Sequence, residues 1–122
     1  MADGLGVLLI SGDYARAHYA FVLATGAAAM GREVVLFATQ DGCRALAADI
    51  SGFAADDEST AARGVAALGE LRQAAVAMEV RMIACEAGLR MVGMAEPMLH
   101  GVEIAGVVTF LEATRGFQLI TL

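Results

Sequence analysis

The chain has 122 residues and a net charge of −6, a length that suits one domain spanning residues 1–122. Hydrophobic residues make up 58% of it, above the ordinary share of a soluble domain, which points to fully buried strands or an interface between copies. Lysine is absent and the eight arginines are scattered singly along the chain, so there is no basic track for a phosphate backbone, and nucleic acid is not an expected partner.

The start, MADGLGVLLIS, lacks the basic residues of a secretion signal, so a cytoplasmic protein is expected. GVLLIS (Gly6 to Ser11) is a short apolar run that suits a strand buried on both faces. The stretch from Ala15 to Gly31 is alanine-rich and proline-free, and predicts a helix with Gly31 at its C-terminal cap. EVVLFAT (Glu33 to Thr39) predicts a second buried strand, and DGCRALAAD (Asp41 to Asp49) a short helix. Composition then shifts: Ile50 to Gly64 is polar, acidic and glycine-flanked, and predicts a mobile loop. Val65 to Met78 predicts a helix, Val80 to Ala84 a third strand, and the stretch from Cys85 a helix ending before Pro97. A short strand around Ala105 to Val108, a brief helix and a last strand from Phe117 to Leu122 complete the pattern. The longest nearly uncharged run, from Ala17 to Gly31, is too short to span a bilayer. Short apolar strands alternating with helices argue for an α/β domain with a parallel sheet covered on both faces. Neither a G-x-G-x-x-G after the first strand nor a P-loop is present, so an ordinary nucleotide site is not supported.

In open parallel sheets, ligands bind beyond the carboxyl ends of the strands. Cys85 falls there, at the predicted junction of strand three and the following helix. First-turn amides and the helix dipole favour an anion on such a sulfur, and a thiolate is the nucleophilic form. Glu86, next in sequence, opposes this with its own negative charge. The plainer reading is a packed core thiol. Cys43 follows the second strand; it is either a relay or resolving thiol for Cys85 or a cysteine packed under a short helix. His18 and the exit loop of strand one, with Tyr14 and Arg16, border Cys85 if strand one neighbours strand three; an arginine there would stabilise a sulfur anion. The bland alternative for His18 is a surface or core histidine. The two cysteines and two histidines lack any metal-ligand spacing, so no metal or cofactor is expected. Two cysteines in a cytosolic setting also argue against a structural disulfide.

GREVVLFATQDGC, RMIACEAGLRMVGM and VEIAGVVTFLEA, taken together, resemble the DsrE/DsrF-like family, in particular its small members that carry a peroxiredoxin-like label. The resemblance runs over nearly the whole chain in the same order. It implies a Rossmann-like, three-layer α/β/α sandwich around a five-stranded, mainly parallel sheet, assembled as a homo-oligomer such as a dimer or trimer. It also implies sulfur trafficking: a cysteine matching Cys85 carries sulfur as a persulfide between donor and acceptor proteins, in the manner of a sulfurtransferase. No peroxidatic threonine–cysteine pattern is present, so true peroxiredoxin chemistry is not expected. Relatives often place a serine or threonine a few residues after the cysteine; Ala87 and Gly88 stand there here, so that hydroxyl is missing from the stretch. Two further readings come from other classes. One is a non-catalytic, oligomeric assembly or small-ligand-binding module with Cys85 a bystander. The other is a thiol redox protein pairing Cys43 with Cys85, which requires their α-carbons within about 7 Å.

Overall fold

The computed structural model describes residues 3–122. Apolar runs without alternation become central strands because both their faces must be covered. LGVLL forms β1 (Leu5–Leu9), VVLFA β2 (Val34–Ala38) and RMIAC β3 (Arg81–Cys85), and their residues are nearly all buried. Two edge strands, β4 (Glu103–Ala105) and β5 (Gln118–Thr121), are shorter and largely exposed. The sheet is ordered β4-β3-β2-β1-β5, and every pairing is parallel.

The order of the strands decides which face each helix covers. From β1 to β4 the chain steps in one direction, and right-handed crossovers place the intervening helices on one face. These are α1 (Tyr14–Ala29), α2 (Ala54–Ala62), α3 (Leu68–Ala77) and α4 (Glu86–Met91). To reach β5 beside β1 the chain must reverse, so α5 (Val107–Ala113) lies on the opposite face. Two cores result. The larger holds Leu5, Val7, Leu9, Leu36, Phe21, Leu46 and Leu68; the smaller, under α5, holds Val35, Phe37, Ile83, Cys85 and Phe110. Phe37 and Phe110 stack with centroids 4.8 Å apart.

Most predicted elements lie within a few residues of their expected bounds. Gly31 caps α1 at φ +84°, a left-handed conformation that costs glycine little. The helix expected over Asp41 to Asp49 is a 3₁₀ segment, Gln40–Leu46. The mobile loop expected over Ile50 to Gly64 is instead ordered as a 3₁₀ turn, Ser51–Phe53, followed by α2. The reason is tertiary. Asp57 of α2 accepts hydrogen bonds from the Tyr14 hydroxyl and from the amides of Leu68 and Gly69, each 2.9 Å away, while Phe53 is buried. A polar, acidic stretch with no apolar face of its own is thus pinned to α1 and α3 by one carboxylate.

Candidate functional site

Cys85 ends β3 and serves as the N-cap of α4, with Sγ accepting a hydrogen bond from the Gly88 amide at 3.3 Å. A sulfur at this cap satisfies one of the helix's unpaired first-turn donors. Its side chain is 7% exposed and faces the α5 core. Glu86, the next residue, points outward and pairs with Arg90 at 3.3 Å, so its charge is directed away along the helix surface.

Two residues packed against the start of α4, Thr39 and Gln40, are invisible to a local reading of the sequence. Gly88 has no room for a side chain: a β-carbon there would collide with Thr39 Oγ1 and stand 2.5 Å from the Gln40 nitrogen. Thr39 and Gln40 form the exit turn of β2, and Gln40 adopts φ +52°. The start of α4 therefore sits directly on this turn. The signal in the sequence is the run TQDG, which marks a tight exit from a buried strand but does not reveal what packs against it.

The other residues singled out from the sequence are placed as follows. Cys43 is fully buried, and its thiol donates to the Ala38 carbonyl at 3.5 Å. Burial pushes the Cys43 thiol up to about 11, which the nearby Cys85 main-chain N–H only partly offsets. The two thiols are free and belong to different cores, Cys43 to the larger and Cys85 to the one under α5, yet they lie close enough that charge on Cys85 disfavours charge on Cys43. Strand β2 also separates β1 from β3, so the adjacency that would bring Tyr14, Arg16 and His18 to Cys85 is not realised. Tyr14 bonds to Asp57 and to Thr60 Oγ1 (3.1 Å) and stacks on His18. His18 Nε2 donates to the Ala66 carbonyl at 2.8 Å. Arg16 is exposed. Burial opposes ionisation of Asp57, but the Tyr14 hydroxyl, the Gly69 and Leu68 amides and the His18 ring outweigh it and hold the carboxyl below its ordinary range. Together these groups fasten α2 and the start of α3 to α1.

A cleft of about 420 Å³ opens beyond the carboxyl ends of β1 and β2, with Arg44, Asp49, Ser51, Phe53, Met94 and Glu96 among its walls. Cys85 does not line it. Among the described residues, no three His, Cys, Asp or Glu side chains converge as a metal-ligand set, and no helix is long and apolar enough to cross a membrane.

The same architecture is found in solved structures. The crystal structure of the ychN protein from E.coli superposes with a TM-score of 0.76 over 100% of both chains, at 17% identity. Protein MTH1491 from Methanobacterium thermoautotrophicum, of unknown function, gives a TM-score of 0.57 over 98% of this chain and 100% of its own, at 22% identity. At these identities the likeness concerns the fold. No curated protein matches the chain by sequence. The family model for the DsrE/DsrF-like family matches residues 5–122, nearly the full length. With its five-stranded parallel sheet and the order of its elements, the chain belongs to the DsrE/DsrF-like family.

Proposed function

We propose that this protein is a cytoplasmic sulfur carrier that holds sulfur as a persulfide on Cys85 and relays it between partner proteins. The observation that carries this reading is the placement of Cys85: a thiol at the carboxyl end of a central strand, capped by the Gly88 amide, in a chain of this family. The Cys85 thiolate attacks the outer sulfur of a donor persulfide. The donor's S–S bond breaks, its inner sulfur leaves as a thiolate, and Cys85 is left as Cys85-S-S⁻ after loss of the proton. An acceptor thiolate then attacks that outer sulfur, and Cys85 departs as the thiolate again, so no external oxidant or reductant is consumed. Cys43 takes no part, because its burial keeps it protonated.

The carrier works as a homo-oligomer in this proposal. Val107, Val108 and Leu111 expose the outer face of α5, at 52%, 70% and 54%, while Phe110 fills its inner face. A helix apolar on both sides is one that is covered on both sides.

Incubation with a low-molecular-weight persulfide donor tests the proposal. The wild type and Cys43→Ser gain the mass of one sulfur, reversibly by dithiothreitol, and Cys85→Ser does not. Equal loading of Cys85→Ser and the wild type contradicts the proposal. The second reading, a small-ligand-binding module, is favoured by the cleft that Cys85 does not line. It predicts a Cys85 that resists alkylation in the native protein.

A further inference from the structure

Thr39 and Cys85 are neighbours across the sheet, although their positions are 46 apart in the chain. The last recorded pairs of β2 and β3 are Phe37↔Ile83 and Ala38↔Ala84, so the next residues in register are Thr39 and Cys85. Phe37 and Ile83 point into the core under α5. Side chains alternate along a strand, so Thr39 and Cys85 point to that same side, about 4.8 Å apart along the hydrogen-bonding direction. Thr39 keeps extended backbone angles, φ −136° and ψ 156°, so the alternation carries through to it.

The packing of Gly88 gives a second, independent fix on the hydroxyl. Thr39 Oγ1 occupies the space that a side chain at position 88 would need, and the Gly88 amide is the group bonded to Cys85 Sγ. The Thr39 hydroxyl thus packs against the residue whose amide serves Cys85 Sγ. Thr39 is also the N-cap of the 3₁₀ segment, yet its side chain makes no capping bond. A threonine at a cap ordinarily spends its oxygen there, so this one is available.

We infer that Thr39 is the positioning residue for the sulfur carried on Cys85, its hydroxyl donating a hydrogen bond to the outer sulfur of the persulfide. This rests on the carrier reading above. The outer sulfur stands about 2 Å beyond Sγ. The Gly88 amide already serves Sγ, so the outer sulfur needs a donor of its own, and in this proposal the Thr39 hydroxyl is that donor. Charged side chains on the surrounding elements are paired with one another: Glu86 with Arg90, Asp41 with Arg44, Glu103 with Arg81 and Glu112 with Arg115. The titratable group that interacts electrostatically with Cys85 is the Cys43 thiol, whose burial favours its uncharged form.

Thr39→Val removes the hydroxyl and keeps the shape of the side chain; Thr39→Ser keeps the hydroxyl. Each protein is loaded with a low-molecular-weight persulfide, and the alkylation rate of its persulfide is followed against pH by mass spectrometry. Loss of one hydrogen bond to an anion raises the midpoint of this profile by about one pH unit in Thr39→Val, and Thr39→Ser returns it to the wild-type position. The alkylation rate of unloaded Cys85 stays the same in all three. A Thr39→Val profile that overlays the wild type overturns the inference, as does a Thr39→Ser profile that follows Thr39→Val. A wild type that takes up no sulfur overturns the carrier reading itself and this inference with it, and that result is read before any variant is compared.

Discussion

The two cysteines differ by their surroundings and not by their chemistry. Cys43 is sealed among apolar groups, and the uncharged thiol is the form its site accepts. In the unfolded chain a thiol loses its proton near the ordinary value of 9.0; in the folded protein Cys43 does so at about 11. Folding thus favours the protonated form. Its contribution is intact below pH 9 and disappears as the pH rises towards 11, a loss of up to about 3 kcal/mol. The absence of lysine leaves few other groups to titrate in that window. Tyr14 is one of them: burial and then its bond to Asp57 raise its hydroxyl. Urea denaturation at stepped pH should show stability falling between pH 9 and 11 in the wild type, with a shallower fall in Cys43→Ala. Equal slopes would mean that Cys43 does not ionise on unfolding. The position of Cys85 at the end of an apolar run before a helical stretch was legible in the sequence. The separation of the two thiols into different cores was not, because it depends on where the 3₁₀ segment after β2 packs.

At the scale of elements, single side chains settle how neighbouring segments join. Gly88 in α4 is the clearest case. Replacing glycine by alanine inside a helix ordinarily gains up to about 1 kcal/mol. Here the new β-carbon meets Thr39 Oγ1 and the Gln40 main chain, and the backbone contact cannot be relieved by turning a side chain. Overpacking of this kind costs about 1–3 kcal/mol, so the clash prevails. Gly88→Ala should lower the thermal midpoint and slow sulfur loading, which a melting curve and a loading time course will show together. An unchanged or raised midpoint would mean that α4 shifts freely over the β2 turn. Asp57 plays the corresponding role for α2. Asp57→Ala removes acceptors for the Tyr14 hydroxyl and two amides at the start of α3, and should cost about 2 kcal/mol. Proteolysis of the native protein should then cut within residues 50–64, where the wild type resists. Sequence composition alone suggested a mobile loop over that stretch, since ADDEST has no apolar stripe to mark a helix. What orders it is a contact 43 residues distant, from Tyr14, and no local pattern encodes that contact.

For the whole molecule, the fold follows from a pattern the sequence states openly: apolar strands alternate with helical stretches, and a parallel sheet results. The strand order is less open to reading. The reversal after β4 leaves α5 alone on its face, while the one-directional steps before it place β2 between β1 and β3, which separates Tyr14, Arg16 and His18 from Cys85. The apolar excess has a partial structural account in the exposed Val107, Val108 and Leu111 of α5. If these residues form the proposed contact between copies, Val108→Asp will reduce the sedimentation coefficient of the protein to that of a single chain while leaving its circular dichroism unchanged. A wild type that already sediments as a monomer would contradict the proposed assembly.

Cys85 is the proposed seat of the carried sulfur, and peptide mapping of the loaded protein locates that sulfur. Cleavage after arginine divides the cysteines between two peptides, Glu33 to Arg44 with Cys43 and Met82 to Arg90 with Cys85. After loading with a persulfide donor and capping with an alkylating reagent, the Met82 to Arg90 peptide should carry one additional sulfur, lost on treatment with a thiol. Additional sulfur on the Glu33 to Arg44 peptide, or on neither, would contradict it.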